Sequence, residues 1–160
     1  MITLTRLSKK SVSVHQTVHL EFQSSLEVVE LVQVVGDHVA RMVGFDEDDR
    51  HWVGVAIRES VINAIRHGNA GDTAKRVWVD FTPLDHDPVP GLAIRVRDEG
   101  EGFNPAELPD PLAKENLLRA SGRGIFLIRN FMDELVLERR PDGGMEMFMV
   151  KRVPAAPKSA

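Results

Sequence analysis

The hydrophobic positions of this chain change period several times, and each change marks an element. Val12, Val14, Val18, Leu20 and Phe22 mostly alternate with polar residues, which predicts a strand with a break near His15 and Gln16. Ser24 followed three residues later by Glu27 has capping-box spacing. Val28, Leu31, Val32, Val35, Val39 and Met42 then recur at helical intervals until Gly44 ends the run. Asp46, Glu47, Asp48 and Asp49 suit the positive end of a second helix. Its core face is expected to carry Trp52, Val53, Ala56, Ile57, Ser60, Val61 and Ala64, and Gly68 closes it with a residue that tolerates positive φ.

The second half of the chain reads mostly as strands. Val77, Val79 and Phe81 share one face of a strand at residues 75–81, and a turn rich in Pro and Asp follows. Leu92, Ile94 and Val96 alternate with Ala93, Arg95 and Arg97 in a second strand, which runs directly into Asp98-Glu99-Gly100-Glu101-Gly102. Residues 103–122 show no long period: Pro105, Pro109 and Pro111 interrupt them, and only 114–119 would make a helical turn. A stretch of this kind inside a compact domain is often a functional lid. Residues 124–132 read as a helix with Ile125, Ile128 and Met132 on one face. Two strands at 135–139 and 145–151 flank the turn Pro141-Asp142-Gly143-Gly144. The expectation is one domain over residues 1–153 with a disordered tail at 154–160.

Composition narrows the classes. The 160 residues favour a single domain, and 42% hydrophobic with 28% charged residues is ordinary for a globular protein. A net charge of −4 provides no general case for binding nucleic acid or a membrane surface. There is no cysteine, hence no disulfide frame and no thiolate chemistry. The first residues lack an apolar core of signal-peptide length, and no run is long enough to span a membrane, so a cytoplasmic protein is expected. The six histidines show no ligand spacing.

Three short stretches carry candidate chemistry. In Arg58-Glu59-Ser60-Val61-Ile62-Asn63, a carboxylate and a carboxamide stand one helical turn apart on one face. Glu59 can take a proton, and the Asn63 amide oxygen is a hard ligand suited to Mg²⁺. Asp98-x-Gly100-x-Gly102 follows a strand, where glycines let backbone approach a ligand and an Asp can accept from an exocyclic amine. Ser121-Gly122-Arg123-Gly124 opens a helix, whose free N–H groups and dipole suit phosphate, with Arg119 and Arg123 adding positive charge. Taken singly, each has a plain structural reading: a solvated helix face, an Asp-Gly turn, a helix after a flexible loop.

In this order the three stretches resemble the boxes of the Bergerat-fold ATP-binding superfamily, which includes histidine-kinase catalytic domains and gyrase. More narrowly, the chain looks like the stand-alone bacterial anti-sigma-factor serine/threonine kinases over residues 25–152. The resemblance implies a two-layer α/β sandwich, with one mixed, mainly antiparallel sheet and helices on one face. It implies that Glu59 is the general base and that Asn63 ligates Mg²⁺. Asp98 would accept from the adenine amine, with Gly100 and Gly102 beside the base. Arg119, Gly122, Arg123 and Gly124 would meet the phosphates of ATP. The implied activity is phosphorylation of an antagonist (anti-anti-sigma) protein by a kinase that also holds a sigma factor, with a homodimer as the implied assembly. Two rivals remain: a nucleotide-binding regulatory module that switches a partner without phosphotransfer, and a detached histidine-kinase domain. One position departs from the resemblance. Family members carry Thr where this chain has Met145, whose side chain cannot donate a hydrogen bond to Asp98. A weaker nucleotide site is therefore expected unless another donor substitutes.

Overall fold

The computed structural model describes residues 16–85, 89–102, 104 and 120–155. Val12, Val14, Arg119, residues 103 and 105–119 of the stretch expected to lack a long period, and most of the expected tail, residues 156–160, lie outside them. The strands are β1 (Val18–Gln23), β2 (Arg76–Leu84), β3 (Gly91–Asp98), β4 (Glu134–Arg139) and β5 (Met145–Arg152). The helices are α1 (Val29–Val43), α2 (Glu47–Asn63) and α3 (Ala120–Phe131).

The strands form one sheet in the order β1-β2-β3-β5-β4, and all four described pairings are antiparallel. The expected antiparallel majority is thus the whole of the described ladder. Register explains the two faces. Leu20 pairs with Val79, Val79 with Val96, Val96 with Met147 and Met147 with Leu137, so alternate residues of every strand point to one side. That side meets α1, α2 and α3 in a core containing Val32, Val39, Val53, Ile57, Val61, Phe81, Ile94, Ile128 and Met149. The other side mixes charged residues with Trp78, Val136 and Phe148. Asp80 there bonds the Arg97 guanidinium at 2.9 Å and lies 2.8 Å from His19 Nδ1, and Arg95 pairs with Glu146 at 3.1 Å.

The helix boundaries follow local chemistry, with two corrections to the sequence reading. Ser25 rather than Ser24 caps the first helical turn, a 3₁₀ turn at Leu26–Val28, by accepting from the Glu27 N–H. Ser24 instead is buried, its hydroxyl accepting a bond from Asn69. The core face of α1 is formed by Val29, Val32, Gly36, Val39 and Ala40, whereas Leu31, Val34 and Met42 are 58%, 59% and 70% exposed. Gly44 ends α1 with φ 108°, and Asp46 caps α2 by accepting from the Asp49 N–H at 2.8 Å.

Two glycines separate packing from propensity. A Cβ on Gly36 would overlap Ile57 Cδ1 and stand 3.1 Å from the Phe81 ring, whereas one on Gly54 would meet nothing within 4 Å. Overpacking costs about 1–3 kcal/mol, and replacing a mid-helix Gly by Ala returns about 1 kcal/mol. Gly36→Ala is therefore expected to lower stability by up to about 2 kcal/mol, and Gly54→Ala to raise it by about 1 kcal/mol. Urea unfolding of the two variants checks both signs. Equal effects would show that α1 and α2 are not seated at Gly36 as described.

Candidate functional site

The C-terminal half of α2 carries the first pair. Glu59 and Asn63 are half-buried and one turn apart, and both face α3. A Cβ on Gly124 would stand 2.8 Å from Glu59 Oε2 and 3.3 Å from Asn63 Nδ2. At the other end of the same antiparallel helix pair, Trp52 stacks on Phe131, with ring centroids 3.6 Å apart and planes 7° from parallel. Gly124 is thus the residue that lets α3 lie directly on the carboxylate and carboxamide.

This changes how Gly124 is read. The helix does not open there: α3 begins at Ala120, and Ser121-Gly122-Arg123-Gly124 lie within its first turns. Glycine is a poor helix former, but the packing of α3 on α2 stabilises the turn that propensity alone would leave frayed. The N–H groups without intrahelical partners belong to the first turn, so the end of α3 suited to an anion is set by Ala120, Ser121, Gly122 and Arg123. Arg123 is exposed at this end. Arg119, the other expected cation, is outside the described residues.

Asp98 completes β3 on the core side of the sheet. Its register with Val77 continues the Leu92, Ile94, Val96 alternation, so strand geometry aims a carboxylate where another apolar residue would fit, and only 4% of it is exposed. Oδ1 accepts the Gly100 N–H at 2.9 Å and the Met145 N–H at 3.2 Å. Burial pushes its pKa above the usual carboxylate range. The two backbone bonds, Arg140 and Lys75 oppose that shift without cancelling it. The Met145 bond answers the departure noted in the sequence. The side chain donates nothing to Asp98, but the backbone at the start of β5 does.

The surrounding glycines are required by close packing. The helical turn after α2 widens into a π turn at Ala64–Gly68, which delivers Gly68 beneath Asp98. Gly68 does not use a positive φ, as the sequence suggested; a Cβ there would overlap Asp98 Oδ2. A Cβ on Gly100 would overlap the Gly68 carbonyl, and one on Gly144 would overlap the Asp98 carbonyl. Gly102 has φ 73° and lies against Gly144 and Arg139, whose guanidinium donates to the Glu101 carbonyl at 3.1 Å. The three motifs therefore meet in one continuous contact path: Gly124 on Glu59 and Asn63, then the end of α2, then Gly68 against Asp98 and Gly100.

Sequence reasoning did not single out the residues that brace this path. Asn69 is fully buried and bonds Ser24, Arg76 and Glu99. Its place directly after Gly68 was visible, but its partners come from three other segments.

The donor set suits a nucleotide. Both bonds described for this buried carboxylate go to Oδ1, so Oδ2 could accept from an amine on a ligand. The first turn of α3 offers N–H groups to phosphate. Among the described residues no group of three or more His, Cys, Asp or Glu could hold a metal ion. A cation at Asn63 would therefore share its shell with phosphates and water, as Mg²⁺ commonly does. Among the described residues no helix is long and apolar enough to cross a membrane.

Comparison with known proteins identifies the relatives of this chain. The profile of the histidine kinase-like ATPase domain matches residues 22–151. The chain is similar to the anti-sigma F factor of Bacillus subtilis, 26% identical over 137 residues, covering 84% of this chain and 91% of that protein. The anti-sigma F factor of Bacillus licheniformis is 30% identical over 108 residues, covering 66% of this chain and 71% of its own length. The serine-protein kinase RsbW of Listeria monocytogenes is 23% identical over 150 residues, covering 88% of this chain and 90% of its own. A crystal structure of the RsbU and RsbW domains of Rv1364c from Mycobacterium tuberculosis has the same fold, with a TM-score of 0.60 at 18% identity. That match covers 88% of this chain and 34% of the longer one. With the matched residues spanning nearly the whole described fold and all three motifs, the chain belongs to the family of histidine kinase-like ATPase domains.

Proposed function

We propose that the protein is an ATP-dependent serine/threonine kinase of a partner-switching system, one that phosphorylates an antagonist protein and holds a sigma factor when free of it. The observation that supports this reading is the seat of Gly124 on Glu59 and Asn63, which sets a carboxylate and a carboxamide beside the helix end suited to phosphate. The names of the relatives, anti-sigma F factor and serine-protein kinase, support the same reading.

In the proposed mechanism Asp98 accepts from the adenine amine and orients the base. The first turn of α3 holds the phosphates through backbone N–H groups, with Arg123 nearby. Asn63 ligates Mg²⁺, which when bound neutralises charge on the phosphates. Glu59 takes the proton of a Ser or Thr hydroxyl while that oxygen bonds to the γ-phosphorus and the bond to the β–γ bridging oxygen breaks, releasing ADP. Phosphoryl transfer depends mainly on this positioning and charge neutralisation. The exposed Leu31, Val34 and Met42 of α1 supply an apolar face of the kind that protein partners cover, whether sigma factor, antagonist or a second copy. The setting is the cytoplasm, where sigma factors act.

Asp98 makes the binding step sensitive to pH. Its folded-state pKa lies above the ordinary value of 3.8, so acidification protonates it earlier than a free carboxylate. The charge-assisted bond to the amine is then lost, and nucleotide affinity falls as pH drops toward the carboxylate range. For stability the sign is opposite: the buried ionised form opposes folding above the raised pKa, and protonation relieves that opposition. Asp98→Asn is expected to bind more weakly at neutral pH and to show a flatter profile, because the Asp98 titration is removed. Titration of adenine nucleotide into both proteins across the acid range checks this, and identical profiles would contradict it.

The function is tested by incubating the protein with Mg²⁺, γ-labelled ATP and candidate antagonists from its own organism. Label on a Ser or Thr of one antagonist is the expected result. Nucleotide binding and a stable antagonist complex without transfer would replace the kinase with the nucleotide-dependent switching module.

A further inference from the structure

We infer that Asn69 is a positioning residue for the base-binding end of the site, holding the Asp98 loop in the conformation that presents the carboxylate. The inference rests on the proposed reading of Asp98 as the group that meets the base. Asn69 is 0% exposed. Its Nδ2 donates to Ser24 Oγ at 2.6 Å and to the Arg76 carbonyl at 2.9 Å, and its Oδ1 accepts the Glu99 N–H at 2.8 Å. Both amide protons are therefore used, and the carboxamide plane is fixed by Ser24 just after β1, the start of β2 and the loop after β3 together. Its own backbone is fixed as well, donating to the Ala64 carbonyl at 2.8 Å and accepting the Asp72 N–H at 3.0 Å.

The bond to Glu99 is the functional one. Glu99 N belongs to the peptide that directly follows Asp98, and a peptide moves as a plane. Holding that N–H fixes one side of the plane. On the other side the Asp98 carbonyl is packed so closely against Gly144 that no Cβ fits there. The Glu99 side chain adds a second anchor, accepting the Arg76 N–H at 2.6 Å. The next N–H, of Gly100, is the one that bonds Asp98 Oδ1. Asn69 thus acts through the loop backbone on the carboxylate without facing the base. It also ties the stretch that ends β1, at Ser24, to the same loop.

The test measures MgADP affinity, thermal stability and amide exchange in Asn69→Ala, Ser24→Ala and the unmodified chain, each at a temperature where it is folded. Ser24→Ala removes an anchor of the carboxamide but leaves the bond to Glu99. It is expected to lower the melting temperature while binding within about threefold of the unmodified chain. Asn69→Ala is expected to weaken MgADP about tenfold or more and to speed exchange of the Glu99 amide. Should it not fold, Asn69→Ser, whose hydroxyl is too short to span the three partners, takes its place with the same expectation. Unchanged affinity in a folded Asn69 variant, or equal affinity losses in the Asn69 and Ser24 variants, would overturn the positioning role and leave the nucleotide site standing. Absence of MgADP binding by the unmodified chain would instead overturn the nucleotide reading, and this inference with it.

Discussion

Replacing Glu59 by Gln is expected to slow phosphoryl transfer by about 10²–10⁴-fold, the usual contribution of a placed general base, while nucleotide affinity stays near that of the unmodified chain. The reasoning is steric as well as chemical. Gln has the shape of Glu, so the contact with Gly124 survives and α3 keeps its seat. Only the capacity to accept a full proton is lost. The base-binding end of the site, held by Gly100, Met145 and Gly68, touches none of this. Single-turnover transfer with saturating ATP, beside a nucleotide titration, separates the two quantities. A Gln variant that transfers as fast as the unmodified chain would remove Glu59 from the chemistry. One that loses nucleotide binding in proportion to rate would make Glu59 a binding residue.

The second large effect is expected at Gly100. A side chain there would collide with the Gly68 carbonyl, which is backbone at the end of α2 and cannot turn aside as a side-chain tip can. Gly100→Ala must therefore push the Asp98 loop off α2 or distort the π turn. Overpacking of this kind reaches about 3 kcal/mol, the upper end of the usual range. It also breaks the Gly100 bond to Asp98, so nucleotide binding is expected to fall below detection even in the folded fraction. Gly143→Ala provides a contrast. A Cβ there would meet only the Gly100 carbonyl at 3.8 Å, and the strain comes from φ 96° alone, so the loss is smaller and nucleotide binding persists. Equal behaviour of the two variants in urea unfolding and nucleotide titration would contradict the packing described around Asp98.

Much of this site was legible in the residues because its parts are local. Glu59 and Asn63 share a face through helical spacing, and the alternation of Leu92, Ile94 and Val96 places Asp98 on the buried side of β3. The strands followed from period-two patterns separated by turns, while their mainly antiparallel sheet was what the resemblance implied. Three of the misreadings concern partners distant in sequence. Ser24 looked like a cap until Asn69, 45 residues on, claimed its hydroxyl. Gly68 looked like a helix stop with positive φ, yet its lack of a side chain is needed by Asp98, 30 residues later. Gly124 looked like the opening of a helix, although it lies inside one that begins at Ala120 and packs on α2. Leu31 and Met42 fit the apolar period of α1 but fall on its outer side, since periodicity cannot tell a core stripe from an apolar outer face. The substitution at Met145 was visible, but a backbone N–H is common to all residues except proline, so its compensating bond left no trace in the sequence.

The most direct measurement of the central claim, that three separated motifs build one adenine-nucleotide site, is a crystal structure of the protein with Mg²⁺ and a non-hydrolysable ATP analogue. The account predicts the adenine amine within about 2.7–3.2 Å of an Asp98 carboxylate oxygen, phosphates at the first turn of α3 and Mg²⁺ ligated by Asn63 with Glu59 facing the γ-phosphate. A base bound away from Asp98, or phosphates remote from both Asn63 and α3, would contradict it.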